Sequence, residues 1–249
     1  MPAAGRELVW EGAVNVRDLG GQPLEDGGTT QFGVVVRADN VRKLTPAGWR
    51  AFRDHGVRRV IDLRWHEELA EDPAVDVPVE VVHISLFGAH RPERRLEIEE
   101  IAAAATGEAD FMRRLYGHYL ATHPREFAAA IEAVASADGT VVVHCTAGKD
   151  RTGIVSALLL RVAGVGIDTI AADYGLSDIT NIPGYGDWLQ EELPPDEARI
   201  RDFVTSAPPE GMAAVLRELD EQHGSAAGYL ESAGVDPGAL AEIKRRLAG

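Results

Sequence analysis

The chain has 249 residues, 45% of them hydrophobic, and a formal net charge of −15 at pH 7. This length and apolar fraction suit one large domain, spanning residues 1–249, with a sizeable core. The acidic balance argues against nucleic acid and anionic membrane surfaces as partners. No apolar stretch reaches the roughly 18 residues that a membrane span needs, and residues 1–7 lack the apolar run of a signal peptide. We therefore expect a cytoplasmic protein without stable membrane insertion, and leave export by a non-signal route open.

Short apolar runs alternate with amphipathic stretches through most of the chain, and these predict strands and helices respectively. The predicted strands are residues 33–37, 57–63, 79–85 and 141–144. The predicted helices are residues 45–55, 94–105, 110–121, 124–136, 154–160, 168–176, 194–205, 210–223 and 237–247. This order predicts an α/β fold in which a central, largely parallel sheet is covered by helices. Additional helices are expected in the middle of the chain and in a C-terminal part, residues 184–249.

The helical middle segment, residues 88–122, has two interpretations. Gly88 and Gly107 could act as pivots of a lid over a functional site. The segment could equally consist of ordinary core helices, because alanine-rich amphipathic stretches are common.

The only cysteine, Cys145, follows a β-branched run at residues 140–143 and precedes a helical run at residues 154–160. A strand therefore delivers it into a glycine-containing loop that opens a helix, where converging backbone N–H groups favour an anion. Such a site stabilises a thiolate. Arg151, six residues later, supplies a planar fork that matches two phosphate oxygens. A lone cysteine also excludes an intramolecular disulfide and suits a reducing compartment.

Two simpler interpretations of this loop fit less well. A nucleotide-binding loop of the type G-x-x-x-x-G-K-[ST] would need glycine and Ser/Thr where the chain has Val143 and Asp150. An inert buried cysteine would leave the His, Gly, Lys, Asp, Arg and Thr around Cys145 as coincidence.

The run HCTAGKDRTG at residues 144–153 resembles the signature loop of the protein tyrosine phosphatase superfamily, in its bacterial tyrosine/dual-specificity branch. NVRDLGG at residues 15–21, IDLR at 61–64 and DYGLS at 173–177 are similar to further landmarks of that branch. The resemblance implies a cysteine-phosphatase-like fold and a hydrolase that needs no cofactor or metal. It implies turnover of phosphotyrosine through a phosphocysteine, with dual-specificity or phosphoinositide activity as additional candidates.

The chemistry of phosphoester cleavage assigns a role to each residue of this loop. Cys145 is the expected nucleophile, and Arg151 with the loop N–H groups stabilises the transferring phosphoryl group. Thr152 is expected to assist departure of the thiolate, with a helix N-cap as its simpler role. The expected substrate-binding residues are Thr146, Ala147, Gly148, Lys149 and Thr152.

Two aspartates compete as the general acid that protonates the leaving oxygen. Asp62 ends a predicted strand, where side chains commonly face a site, and Asp150 lies inside the loop. Each also has a structural alternative: Asp62 could pair with Arg64 or Arg151, and Asp150 with Lys149 or Arg17. We expect Asp62 to be the acid, with Asp150 close behind.

Lys149 bears on the substrate. A cation at the rim of the loop would attract a second anionic group, which favours phosphoinositides or highly charged phosphopeptides. A solvated lysine paired with Asp150 is the alternative.

Two other classes of function share a cysteine in an anion-binding loop. A pseudophosphatase would bind phosphorylated partners without turnover, but Cys145, Arg151 and Thr152 are all present. A rhodanese-like sulfurtransferase would not normally carry arginine six residues after its cysteine. The expected partners are therefore phosphorylated proteins or phosphoinositides, and the oligomeric state is left open.

Overall fold

The computed structural model describes residues 5–72, 75–87, 93–178 and 191–249. Its strands form one five-stranded sheet in the order β1-β2-β5-β3-β4. Only β1 runs antiparallel to its neighbour, and the other pairs are parallel. The strands are β1 Arg17–Asp18, β2 Val35–Ala38, β3 Val57–Asp62, β4 Glu80–His83 and β5 Thr140–His144.

Helices follow or separate these strands along the chain. The first five are α1 Pro46–Asp54, α2 His66–Glu71, α3 Glu93–Ala104, α4 Glu108–Thr122 and α5 Pro124–Ala135. The others are α6 Asp150–Ala163, α7 Ile167–Gly175, α8 Pro195–Thr205, α9 Pro209–His223, α10 Ala226–Ser232 and α11 Pro237–Ala248. No helix within the described ranges is long and apolar enough to cross a membrane.

Strand β5 lies at the centre of the sheet because its residues are apolar and β-branched on both faces. Val141 and Val143 belong to a large core shared with α4 to α7 and α9 to α11, whereas Val142 packs in a smaller cluster with Trp10 and Phe52. Successive side chains of a strand point to opposite faces, so β5 is buried on both.

The register of the parallel strands determines where the site forms. His144 of β5 stands opposite Ala38 of β2 on one side and Asp62 of β3 on the other. The carboxyl ends of these three strands therefore meet at one edge, and the loops that follow them lie side by side.

The predicted fold class is confirmed: the structure is α/β with a mostly parallel central sheet covered by helices. The sequence patterns missed the two-residue β1 and the short helices α2 and α10, which are too short to show periodicity. Residues 88–92 of the expected lid and residues 184–190 of the expected C-terminal part lie outside the described ranges. Within the expected lid, α4 places six side chains in the core: Phe111, Met112, Leu115, Tyr116, Tyr119 and Leu120.

Candidate active site

Cys145 leaves the carboxyl end of β5 and is 2% exposed. Residues 145–149 turn back into α6, which begins at Asp150; we call residues 145–151 the anion loop. Gly148 has a φ of +67°, and a Cβ there would lie 2.6 Å from the Ala38 carbonyl oxygen of β2. Glycine is thus required both by the left-handed backbone and by the close approach of strand β2.

The carbonyl groups of the anion loop are tied to the surrounding protein. Asn15 Nδ2 donates to the carbonyl oxygens of Ala147 and Gly148, at 3.1 Å each. Arg37 Nη2 donates to the Gly148 carbonyl at 2.7 Å. Within the described part of the chain, the backbone N–H groups of residues 146–149 meet no protein acceptor. Four donors in one loop are therefore available to an anion.

A buried cluster of charged side chains supports the anion loop. Asp173 of α7 pairs with Arg6, Arg17 and Arg37, with closest N–O distances of 2.6, 3.1 and 3.3 Å. Burial, followed by the charge of Arg17, lowers the pKa of Arg37 to about 9. Burial opposes ionisation of Asp173 too, but the three arginines lower its pKa below the usual range. The cluster connects the NVRDLGG and DYGLS segments to the loop, which gives both a structural role.

Arg151 is 8% exposed and is held by a residue that sequence reasoning missed, Glu68 of α2. Its Nη2 donates to Glu68 Oε1 at 2.8 Å, and its Nη1 donates to Oε2. Thr146 Oγ1 also donates to Glu68, and the guanidinium lies 5.0 Å from the ring centre of Trp65. The Nε of Arg151 contacts no acceptor among the described residues, so one edge of the fork remains open to a phosphate. The sequence feature that could have pointed to Glu68 is its position shortly after the IDLR segment at residues 61–64.

Asp62 sits in a setting that does not fit a general acid. Its Oδ1 accepts from Arg64 Nε at 2.9 Å and its Oδ2 from Arg64 Nη2 at 2.7 Å, and the residue is 1% exposed. Burial opposes ionisation, but His144 and Arg64 together lower the pKa of Asp62 to about 2. Burial in turn lowers the pKa of His144, against the opposing charge of Asp62. The expectation that Asp62 donates the proton is therefore at odds with this geometry, which matches its alternative as a partner of Arg64.

Asp150 stands at the start of α6 with a side chain 35% exposed. Its Oδ1 accepts a hydrogen bond of 2.6 Å from the Tyr116 hydroxyl and lies 3.2 Å from Lys149 Nζ. Its Oδ2 has no hydrogen-bond donor among the described residues. Asp150 is thus the loop carboxylate that solvent or a substrate can reach.

Lys149 does not occupy the rim expected for it. Its side chain is fully buried, and Nζ donates to the Val204 and Ser206 carbonyl oxygens at 2.7 and 2.8 Å. With Asp150 as the third neighbour, all three ammonium protons have partners. The side chain points into the protein because these buried carbonyls at the end of α8 compensate for its desolvation.

Thr152 is fully buried in the first turn of α6, and its hydroxyl has no hydrogen-bond partner among the described residues. Since Lys149 is the N-cap position of α6, the alternative interpretation of Thr152 as a helix N-cap is wrong. A free buried hydroxyl in the turn after Cys145 is consistent with a role toward the reacting sulfur. Arg37 and Arg151 both interact electrostatically with Cys145.

Comparisons with known proteins identify the family of the chain. A model of the tyrosine phosphatase family matches residues 8–249. A tyrosine-protein phosphatase of Nostoc commune is 33% identical over 227 residues, which cover 85% of this chain and 73% of the relative. The triple specificity protein phosphatase PtpB of Mycobacterium tuberculosis is 28% identical over 282 residues, covering 99% and 100% of the two chains. The chain therefore belongs to the tyrosine phosphatase family and is a protein-tyrosine phosphatase.

Proposed function

We propose that the protein hydrolyses phosphotyrosine through a phosphocysteine formed on Cys145. The observation that carries this proposal is the buried cysteine at the base of a loop with a clamped arginine and four N–H groups that have no acceptor among the residues the structure describes. The N–H groups and the free edge of Arg151 would bind the three equatorial phosphoryl oxygens. Thr152 would stabilise the leaving thiolate when water attacks the intermediate.

We propose Asp150, rather than Asp62, as the general acid. A proton donor must be protonated when the leaving oxygen departs and must reach that oxygen. Asp62 fails on both counts, because a pKa of about 2 leaves it ionised and Arg64 occupies both of its oxygens. Asp150 is partly exposed, and its Oδ2 has no hydrogen-bond donor among the described residues, which supports its reaching a leaving group. Asp62 would then act as a structural partner of Arg64.

The proposed substrate is a phosphorylated protein, dephosphorylated at tyrosine. A second anion site would need a cation at the rim, and the Lys149 ammonium is engaged with Val204 and Ser206 instead. Phosphoinositides therefore become a weaker candidate than phosphotyrosine. The relative from Mycobacterium tuberculosis is named a triple specificity phosphatase, so phosphoserine and phosphothreonine belong in the same substrate panel.

The chain is proposed to act as a single phosphatase domain in a reducing cytoplasm. One continuous core contains residues from Leu19 to Leu247, including the sheet, the loop cysteine and the C-terminal helices. A sole cysteine that must remain a thiolate has no second thiol in this chain to protect it after oxidation.

The proposal is tested by replacing Cys145 with serine. Cys145→Ser should reduce turnover of nitrophenyl phosphate to background, because no other thiol can attack, while the variant still binds a phosphate analogue such as vanadate or tungstate. The phosphatase activity of the wild type should persist in EDTA. With thiosulfate as the sulfur donor, the wild type should show no sulfurtransferase activity. Turnover by Cys145→Ser, dependence on an added divalent cation, or transfer of sulfur would each reject the mechanism.

A further inference from the structure

The general acid proposed above is held by a buried pair of tyrosines. Tyr116 of α4 and Tyr174 of α7 are 0% and 1% exposed, and their hydroxyl oxygens lie 2.7 Å apart. The Tyr116 hydroxyl reaches Asp150 Oδ1 at 2.6 Å. The two helices thereby bring a chain of phenols from the core to the carboxylate of the anion loop.

The direction of this chain follows from the donors available. Asp150 Oδ1 carries no hydrogen when the carboxyl is ionised, or when its proton is on Oδ2. In both states Oδ1 is an acceptor, and the single hydroxyl hydrogen of Tyr116 is donated to it. Tyr174 is then the donor to the Tyr116 oxygen. Burial, followed by the charge of Asp150, raises the pKa of both phenols well above the usual value. Both remain protonated donors across the working pH range of a phosphatase.

The geometry points to Tyr116 as the positioning residue for the acid, with Tyr174 as its support. This inference rests on the proposed role of Asp150. Tyr116 and Lys149 both lie against Oδ1, and no described donor lies against Oδ2. An oxygen that accepts two donors is the poorer place for a proton, so the transferable proton resides on Oδ2, on the exposed side.

The proton balance of the first step is then complete. The Cys145 sulfur bonds to phosphorus as the bond from phosphorus to the phenolic oxygen breaks. That oxygen takes the proton from Asp150 Oδ2, and Asp150 becomes ionised. Tyr116 keeps its own proton and donates a stronger hydrogen bond to the new carboxylate, which stabilises the product side of the transfer. In the second step, the oxygen of a water molecule bonds to phosphorus as the bond from phosphorus to the Cys145 sulfur breaks. That water gives one proton to Asp150 Oδ2, and Cys145 is released as a thiolate.

The test compares Tyr116→Phe with Tyr229→Phe. Tyr229 is also buried, and its hydroxyl donates to the Leu120 carbonyl at 2.8 Å, so both variants lose one buried hydroxyl, with two hydrogen bonds lost at Tyr116 and one at Tyr229. Tyr116→Phe should lower kcat about 10-fold on phenyl phosphate, and less than about 3-fold on nitrophenyl phosphate, which leaves without a proton. Tyr229→Phe should change both substrates equally. The leaving-group dependence of the loss in kcat for Tyr174→Phe should lie between those of the other two variants.

The pH dependence of kcat in Tyr116→Phe provides a second measurement. A tyrosine with a purely structural role would leave this pH profile unchanged. Losing a hydrogen bond to the ionised form lets the acid hold its proton to higher pH, so the alkaline limb should shift upward by about 0.5–1 pH unit. Lys149, Arg151, Tyr119 and Tyr174 also interact electrostatically with Asp150, and none of them is changed in this variant. An unchanged ratio between the two substrates together with an unmoved limb would overturn the inference.

Asp150→Asn separates this inference from the proposal beneath it. If Asp150→Asn shows no dependence on the leaving group, the acid is elsewhere and both fail. If Asp150→Asn shows the dependence and Tyr116→Phe does not, only the tyrosine inference fails. In the Asp150→Asn background, adding Tyr116→Phe should cause no further leaving-group effect. Thermal melting of each variant confirms that folded proteins are compared.

Discussion

Asp62 and Asp150 lie on neighbouring parts of one site, yet their surroundings give them different chemistry. Asp62 is enclosed with a fixed cation that binds both carboxylate oxygens. One Asp150 oxygen contacts a phenol and a lysine, and the other has no hydrogen-bond donor within the described ranges. At the scale of single residues, what decides the role of a carboxylate is therefore which of its oxygens can hold and deliver a proton.

The two aspartates can be compared directly by replacing each with asparagine. Asp150→Asn should lose about 10²–10⁴ in kcat on phenyl phosphate and much less on nitrophenyl phosphate, because only the first leaving group needs a proton. Asp62→Asn should reduce stability, since it breaks a buried ion pair with Arg64, and any loss of activity should be the same for both substrates. Steady-state kinetics and thermal melts of the two variants provide the measurement. A leaving-group dependence in Asp62→Asn alone would restore Asp62 as the acid.

At the scale of elements, Lys149 links the anion loop to the end of α8. Its ammonium bonds to two carbonyl groups at Val204 and Ser206, so a side chain in the catalytic loop also fixes the segment that leads into α9. The loop and this segment should therefore stabilise each other.

Lys149→Met tests this link while keeping the side-chain volume. The variant leaves two buried carbonyls without a donor and should be less stable by about 3 kcal/mol. Its kcat/KM should fall by a similar factor on an aryl phosphate and on a phosphoinositide, because the ammonium does not face the substrate. Lys244→Met, at an exposed position of α11, is the matched control. A selective, salt-sensitive loss on the phosphoinositide would show instead that Lys149 reaches the substrate.

At the scale of the whole molecule, the buried carboxyl group of Asp39 makes the free energy of unfolding depend on pH. Asp39 follows β2 and is 2% exposed, and its Oδ1 accepts from the Val14 backbone N–H at 2.8 Å. Burial raises the pKa of Asp39 from 3.8 to about 7. The folded protein thus binds a proton between these values that the unfolded chain has released, so the stability contributed by this group falls as pH rises from about 4 to 7.

Asp39→Asn should remove this fall in stability with rising pH, while keeping a side-chain oxygen that accepts from the Val14 N–H. The free energy of unfolding of the variant relative to wild type should increase by about 4 kcal/mol between pH 4 and pH 7, and stay level above pH 7. Denaturant titrations over this pH range measure it, with Asp26→Asn, an exposed loop position, as control. A difference between variant and wild type that is independent of pH would contradict the raised pKa.

The fold class and the chemistry expected of the central loop could be predicted from the sequence alone. Both depend on local information: the β-branched run at 140–143 can only be a buried strand, and a cysteine followed six residues later by arginine reports its chemistry through spacing alone. The helices α4 to α7, α9 and α11 were also predictable, because a long amphipathic period is visible without knowledge of the partner it packs against.

The contacts of each charged side chain of the site, in contrast, depend on the folded structure. Lys149 points inward because carbonyl groups more than fifty residues away accept its protons, and Glu68 reaches Arg151 across 83 positions of sequence. Asp62 and Asp150 have the same functional group, and Tyr116 and Tyr174 read as ordinary core residues until α4 and α7 bring them to the loop. Electrostatic energies depend on distance and burial in space, which residue order along the chain does not specify.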